Sequence, residues 1–319
     1  MKRFLKNIVR FGLMYLLLLL IVGGIIEYVI YRNTLNRQYL LQADWDSKVN
    51  ENYDALFIGN SRLWVQMDLK LLNSETSTKN YALSQDGSKI DLLWYKFHNY
   101  LKNNNLPKSI YLQFDPYFLT YLNAGTFYGK ENYLSYIFFD RLGIDSLFNG
   151  LDGFNKLETF IPLIRYYGYP TEFKEHVLGR MLKRDKMWRD SSRFNYGTSP
   201  QQWYWSNFNK GTKKWENPEY TYKPMDFSFV DSFRIYCSDH NIKLILYYPP
   251  QTWRSYNRVA LNLKNQLVKY ASKYDLVFYN FNNSNYDDTS LFYNHMHLNA
   301  KGASKFTNEM MQCYKKHKY

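Results

Sequence analysis

Short apolar runs that end in turn residues, each handing over to a segment with helical spacing, constrain this chain more than any other feature. In "YDALFIGNSRLWV" the run "ALFI" closes on Gly59-Asn60-Ser61 before a helix-compatible pattern, which is a strand-turn-helix unit. "LLWYKFHNYLKNN" has the spacing of an amphipathic helix, and "KSIYLQFDP" reads as a buried strand stopped by Pro116. Later, "FSFVDSFRIYCSDHN" leads as a helix into the strand "IKLILYYPP". "NRVALNLKNQLVKYASKYD" is then a helix, "LVFYN" a strand and "AKGASKFTNEMMQCYKK" a terminal helix. Strands alternating with helices predict an α/β domain with a mostly parallel sheet covered on both faces.

Between about Phe118 and Pro224 that alternation breaks down. "LGIDSLF", "LETFIPLIRYY" and "HVLGRMLKR" suit short helices, but "RDSSRFNYGTSPQQWYWSNFNKGTKKWENPEYTYKP" has neither period and is rich in turn formers. A loop of that length inside a compact domain is usually functional, so residues 118–224 are expected to form an insertion that caps the site.

The N-terminus is of another kind. Lys2, Arg3, Lys6 and Arg10 precede "FGLMYLLLLLIVGGIIEYVIY", apolar for the roughly 20 residues needed to cross a bilayer. No A-x-A cleavage site follows, and Glu27, Tyr28 and Tyr31 suit an interface, so a retained anchor is favoured over a cleaved signal peptide. The basic flank predicts a cytoplasmic N-terminus, although Arg32 and Arg37 weaken the asymmetry. Residues 1–32 are thus read as stub and anchor, and 33–319 as one extracytoplasmic domain.

That topology limits what a formal charge of +13 means. No nucleic-acid motif is present and the domain faces away from the genome, so anionic envelope polymers or lipid headgroups are better partners. A solvated basic surface without a partner fits equally well. Aromatics make up 19% of the chain, and those set among polar residues, as in "QQWYWSNFNKG", suit contact with sugars as well as ordinary packing. The two cysteines, Cys237 and Cys313, fit either a bridge or two buried thiols. Their spacing suggests no metal site, and nothing in the chain calls for a cofactor.

In an open parallel sheet, ligands bind beyond the carboxyl ends of the strands. Ser61 follows the first strand, Asp115 follows "IYLQF", Pro249-Pro250 follows "LILYY" and His297 follows the last strand by a loop. Ser61 alone reads as a helix N-cap, and His297 alone as a structural histidine. Together they read as a serine at a strand-to-helix turn with a base on the neighbouring rim.

"FIGNSR" at the start of the domain and "HLNAKGASKFT" at its end resemble the first and last sequence blocks of the SGNH/GDSL hydrolase superfamily. The single span and the strand end "FDP" are most similar to its membrane-anchored envelope branch, which includes the D-alanyl-lipoteichoic acid assembly protein and the alginate O-acetylation proteins. The resemblance runs from about Tyr53 to the end, leaves out the central insertion and implies a flavodoxin-like, three-layer fold of SGNH type. It implies Ser61 as nucleophile, with its own N–H in the oxyanion hole, and His297, followed by Leu298-Asn299 and Gly302, as general base. His295 does not match. In "NYALSQDGSK" the resemblance implies an oxyanion residue at Gly87 or Ser84, with Asn80 ending the strand. Where the family has a third-block asparagine, "LQFDPYF" places Asp115.

The family also carries an acid three residues before its base, and that position here is Asn294. Either Asp287 or Asp288 takes over, or a Ser-His dyad helped by Asn294 serves an activated acyl donor, or the site binds without catalysing. The implied activity is that of a membrane-anchored serine esterase or O-acyltransferase. Its substrates would be acyl esters of an envelope polysaccharide or teichoic-type polymer, and a multispanning membrane acyltransferase would be its partner. The alternative is an accessory binding module with the same fold.

Overall fold

Two compact units divide the chain, residues 1–44 with 133–190 and residues 45–132 with 191–319. The structure, a computed structural model, describes residues 1–34, 50–85, 88, 90–120, 157, 161, 164, 196–202, 225–252, 258–294 and 296–317. In the first unit, helix α1 covers Lys2–Thr34, 33 residues, or about 50 Å at 1.5 Å per residue. Its Lys2–Ile25 stretch is long and apolar enough to cross a membrane, and leucines such as Leu13, Leu16 and Leu17 stand exposed along it. In the same unit Leu157 and Ile164 are helical, as expected of "LETFIPLIRYY".

The second unit is built on five parallel strands. They are β1 (Ala55–Gly59), β2 (Asn80–Ser84), β3 (Ser109–Gln113), β4 (Lys243–Tyr248) and β5 (Val277–Asn280), in the order β2-β1-β3-β4-β5. This is the flavodoxin-like doubly wound order, whose direction of winding reverses between β1 and β3. The expected α/β architecture is therefore the one found. The helices are α2 (Ser61–Gln66), α3 (Leu69–Thr76), α4 (Ile90–Asn103), α5 (Pro116–Thr120), α6 (Ser228–Asp239), α7 (Arg258–Lys273) and α8 (Ala300–His317).

Why both faces are covered is visible in β1, where every residue is buried. Side chains alternate with period two, so Leu56 and Ile58 join Leu83, Ile110, Leu112 and Leu246 on one face, under apolar side chains of α4, α6 and α7. Ala55 and Phe57 join Tyr111, Ile245 and Tyr247 on the other, under Leu63 of α2, Leu69 and Leu72 of α3, and Phe306 and Met310 of α8. Each such buried side chain contributes roughly 1.5–3 kcal/mol. Cys237 packs in the first layer and Cys313 against the second, so the sheet separates them and both thiols are free.

Several expectations change. Asn80 begins β2 rather than ending it: its backbone N–H and side-chain amide both donate to Oδ1 of Asn73, and its own Oδ1 accepts from Tyr314. Pro116 does more than stop β3, because it opens α5, where its missing N–H costs nothing. The insertion is not without structure where it is described. Tyr196–Gln202 straps the edge of β2: Tyr196 accepts from the Ala82 N–H at 2.8 Å and Gly197 from the Ser84 hydroxyl at 2.6 Å. The strap reaches both other elements near the site, through Ser199 N–H to Trp64 O and Ala300 N–H to Gln201 O, each 2.7 Å. Gly197 has φ +85° and lies so close that a Cβ would fall 2.0 Å from Ala82 O. The stretches "LGIDSLF", "HVLGRMLKR" and "WYWSNFNKG", and with them the expected cap, lie outside the described residues.

Candidate active site

The turn after β1 is held from below. Gln113, at the end of neighbouring β3, accepts the Asn60 N–H through Oε1 at 3.1 Å and donates from Nε2 to Asn60 Oδ1 at 3.0 Å. A Cβ on Gly59 would lie 2.5 Å from that Oε1 and 2.9 Å from Cβ of Leu63, so the close approach requires glycine. Asn60 Oδ1 also accepts from the Arg62 N–H, making Asn60 the N-cap of α2. The reading of Ser61 as the cap is thereby corrected: Ser61 is the first residue of α2, half-buried, and its hydroxyl is not engaged in capping. Its N–H belongs to the first turn, where helix donors lack an intrahelical partner and are available to an oxyanion.

The hydroxyl faces a histidine brought in by the last loop. Phe292 and Leu298 form an isolated antiparallel bridge and are both fully buried in the core. One step inward, Tyr293 N–H donates to His297 O at 3.0 Å, so these two side chains point the other way, toward α2. Gln66, at the end of α2, fixes the loop tip by donating to Met296 O at 2.5 Å. His297 Nε2 then lies 2.9 Å from Ser61 Oγ, and His297 Nδ1 lies 3.0 Å from Asn294 Oδ1.

Those contacts settle the direction of the proton. Asn294 Oδ1 also accepts the N–H groups of Met296 and His297, both at 2.9 Å, so the atom facing the imidazole is the amide oxygen. Nδ1 must donate to it, leaving the lone pair on Nε2 to accept from Ser61 Oγ–H. An Asp-to-Asn change in a serine triad can cost about 10⁴ in rate because the amide selects the wrong tautomer. Here the backbone N–H groups turn the amide oxygen toward Nδ1. The amide brings no negative charge to the imidazole.

Behind the serine, Arg62 ties the strand exits together. Its guanidinium donates to Pro249 O and Pro250 O at 2.5 and 3.1 Å beyond β4 and pairs with Asp115 Oδ2 at 3.2 Å beyond β3, with both side chains buried. Asp115 also accepts from Gln113 Nε2 at 2.6 Å and from the Phe118 N–H at 3.0 Å, capping α5. It is 0% exposed and offers no donor, so its expected part in oxyanion or substrate binding becomes that of a buried counter-ion to Arg62. Burial raises the pKa of the neighbouring Tyr247 phenol well above its ordinary value; the Asp115 charge pushes the same way and Arg62 opposes it.

No family model matches this chain, and no curated protein matches it. Among solved structures, it is similar to a protein from Streptococcus pneumonia described provisionally as a platelet activating factor. The identity is 13%, the alignment covers 96% of this chain and 99% of that one, and the TM-score is 0.36. A likeness that distant says nothing about the chemistry of Ser61.

The other described candidates have surroundings of their own, and Ser84 pairs in register with Gly59 on the neighbouring strand. Asp287 and Asp288 are exposed, and Asp288 bonds the hydroxyl and N–H of Ser290, which lower its pKa. Of the alternatives Asn294, Asp287 and Asp288 for the contact to Nδ1, Asn294 is the one that makes it. Ser84 is fully buried, its hydroxyl donating to Gly197 O and its carbonyl accepting from the buried Lys96 ammonium. Gly87 and His295 lie outside the described residues. Among the described residues no group of three His, Cys, Asp or Glu is placed to hold a metal ion. Asn60, Arg62, Gln66, Gln113 and Tyr293 position the site without having been expected there. Only Asn60 was hinted at, in "GNSR", because an Asn before a helix is a capping signal.

Proposed function

We propose that this chain is a membrane-anchored serine esterase or O-acyltransferase of SGNH type. It acts on acyl esters of a cell-envelope polysaccharide or teichoic-type polymer. The observation that carries this reading is the relay from Ser61 Oγ through Nε2 and Nδ1 of His297 to Asn294 Oδ1, at 2.9 and 3.0 Å. In the reaction, the Ser61 proton passes to Nε2 as Oγ bonds to the acyl carbon. The carbonyl π electrons move to its oxygen, near the Ser61 N–H, and the alkoxide leaves with the proton from Nε2. Water or a sugar hydroxyl then takes the acyl group. The SGNH resemblance of "FIGNSR" and "HLNAKG" supports the class, and the apolar α1 behind a basic flank supports an extracytoplasmic domain with a cytoplasmic N-terminus. A multispanning membrane acyltransferase is the proposed donor partner, and co-purification from membranes tests it.

One observation favours a second reading, an accessory module that binds an acylated polymer: the third-block position is Asp115, whose charge is locked on Arg62 and donates nothing to an oxyanion. Fluorophosphonate labelling of the full chain in detergent separates the two. Labelling that disappears in Ser61→Ala and His297→Ala supports the enzyme. A folded wild-type protein that stays unlabelled, together with an unlabelled Asn294→Asp variant, supports the binding module.

A further inference from the structure

We propose that Tyr293 stabilises the imidazolium of His297 through its ring face, supplying part of what the neutral Asn294 withholds. The inference rests on the proposed nucleophile-base pair. Tyr293 and His297 lie opposite each other across the turn of the last loop, and their rings stack at 5.5 Å between centroids with planes 7° apart. Tyr293 also packs against Trp64 and Val65 of α2. A cation within about 6 Å of an aromatic centroid is attracted by the negative face of the ring.

When Ser61 attacks, its proton moves to Nε2 and the imidazole becomes a cation. Among the described residues, those in contact with the ring include Ser61 through Oγ from α2, Asn294 through Oδ1 from its own loop and Tyr293 through its face. Asn294 accepts the Nδ1 proton but brings no net charge. The Nδ1 hydrogen bond strengthens as the charge appears, the tyrosine face adds a second contact that does so, and differential interaction of that kind lowers the barrier.

Packing alone would also make Tyr293 matter, so the test varies ring electrons at constant shape. Phenylalanines with successively more ring fluorines are introduced at position 293 of the full chain in detergent, with Tyr293→Phe as reference. Two quantities are measured: the rate of fluorophosphonate labelling, and the pKa of His297 by NMR of labelled histidine. Each fluorine is expected to lower both, with a total fall in rate of about two- to thirty-fold, the range a cation–π contact covers. Equal rates and an equal His297 pKa across the series would overturn the proposal. If wild-type protein does not label but the His297 pKa still falls along the series, the acyl-enzyme reading fails and the stacking interaction stands. A flat pKa with normal labelling sinks the stacking alone.

Discussion

Oδ1 of Asn294 stands 3.0 Å from Nδ1 of His297 while accepting the backbone N–H groups of Met296 and His297, so the oxygen of an amide, not an acid, faces the imidazole. Because the oxygen is pinned, Asn294→Asp preserves the geometry and adds a charge. Asn294→Asp is expected to label faster with a fluorophosphonate, by about tenfold or more. Asn294→Leu, which removes the acceptor, is expected to label slower, within the roughly 10²–10⁴ that general-base catalysis contributes. Stopped-time labelling at neutral pH checks both, and an unchanged Asn294→Asp rate would mean the imidazolium needs no further charge.

Since Asn60 caps α2, Ser61 and Asn60 have separable roles. Ser61→Ala should abolish labelling and leave stability within about 0.5 kcal/mol. Asn60→Ala loses the cap and the bonds to Gln113, and should cost about 1 kcal/mol or more. Thermal melts of the two variants decide it; a large loss in Ser61→Ala would restore a structural role for the hydroxyl.

Gly302 lets α8 pack under the His297 loop: a Cβ there would fall 2.2 Å from Leu291 O and 2.8 Å from Cδ2 of Leu298. The first of these atoms is backbone and cannot give way. Gly302→Ala is expected to destabilise by about 1–3 kcal/mol and to slow labelling through displacement of His297. Retained stability with reduced labelling would locate the shift in the loop alone.

Arg62 and Asp115 are both buried, at 1% and 0% exposure, so removing one leaves the other uncompensated. Arg62→Met is expected to lose about 3–5 kcal/mol. Adding Asp115→Asn keeps an acceptor for the Phe118 N–H while deleting the stranded charge, so the double variant should recover part of the loss. A double variant as unstable as the sum of the two singles would show that the pair does not interact.

How much of this was legible depends on what kind of force places each residue. β1, β3, β4 and β5 were readable because their apolar runs end abruptly in turn residues, and α4, α6, α7 and α8 because their spacing is helical. Ser61 and His297 were readable because strand ends in a parallel sheet share one rim. Helix α3 was not read, although Asp68 caps it by accepting from the Leu71 N–H. Asp115, Arg62 and Gln113 were misread or missed because a polar residue at a strand exit looks the same in sequence whether it faces substrate or a buried partner. The strap at Tyr196–Gln202 has no period at all. Its bonds to Ala82, Ser84, Trp64 and Ala300 are long-range, and only the folded sheet edge defines them.

His98 connects the core to pH. It lies on α4 between the edge of Trp94, 4.4 Å away between centroids, and Tyr236 of α6 at 5.9 Å. Burial, and then the Lys102 charge one turn on, lower its pKa below 6.5; burial, Lys243 and Lys316 lower that of His317 as well. A lowered histidine pKa means that the folded protein resists a proton which the unfolded chain accepts. The unfolded state therefore binds more protons as pH falls from about 6.5 through the folded-state value, and stability must decline across that window. Above it both states are neutral and the contribution vanishes. The melting temperature of the wild type is thus expected to drop between about pH 7.5 and about pH 5, and His98→Gln should flatten the drop while changing little at the upper end. An identical slope in wild type and variant would show that other groups set the acid limb.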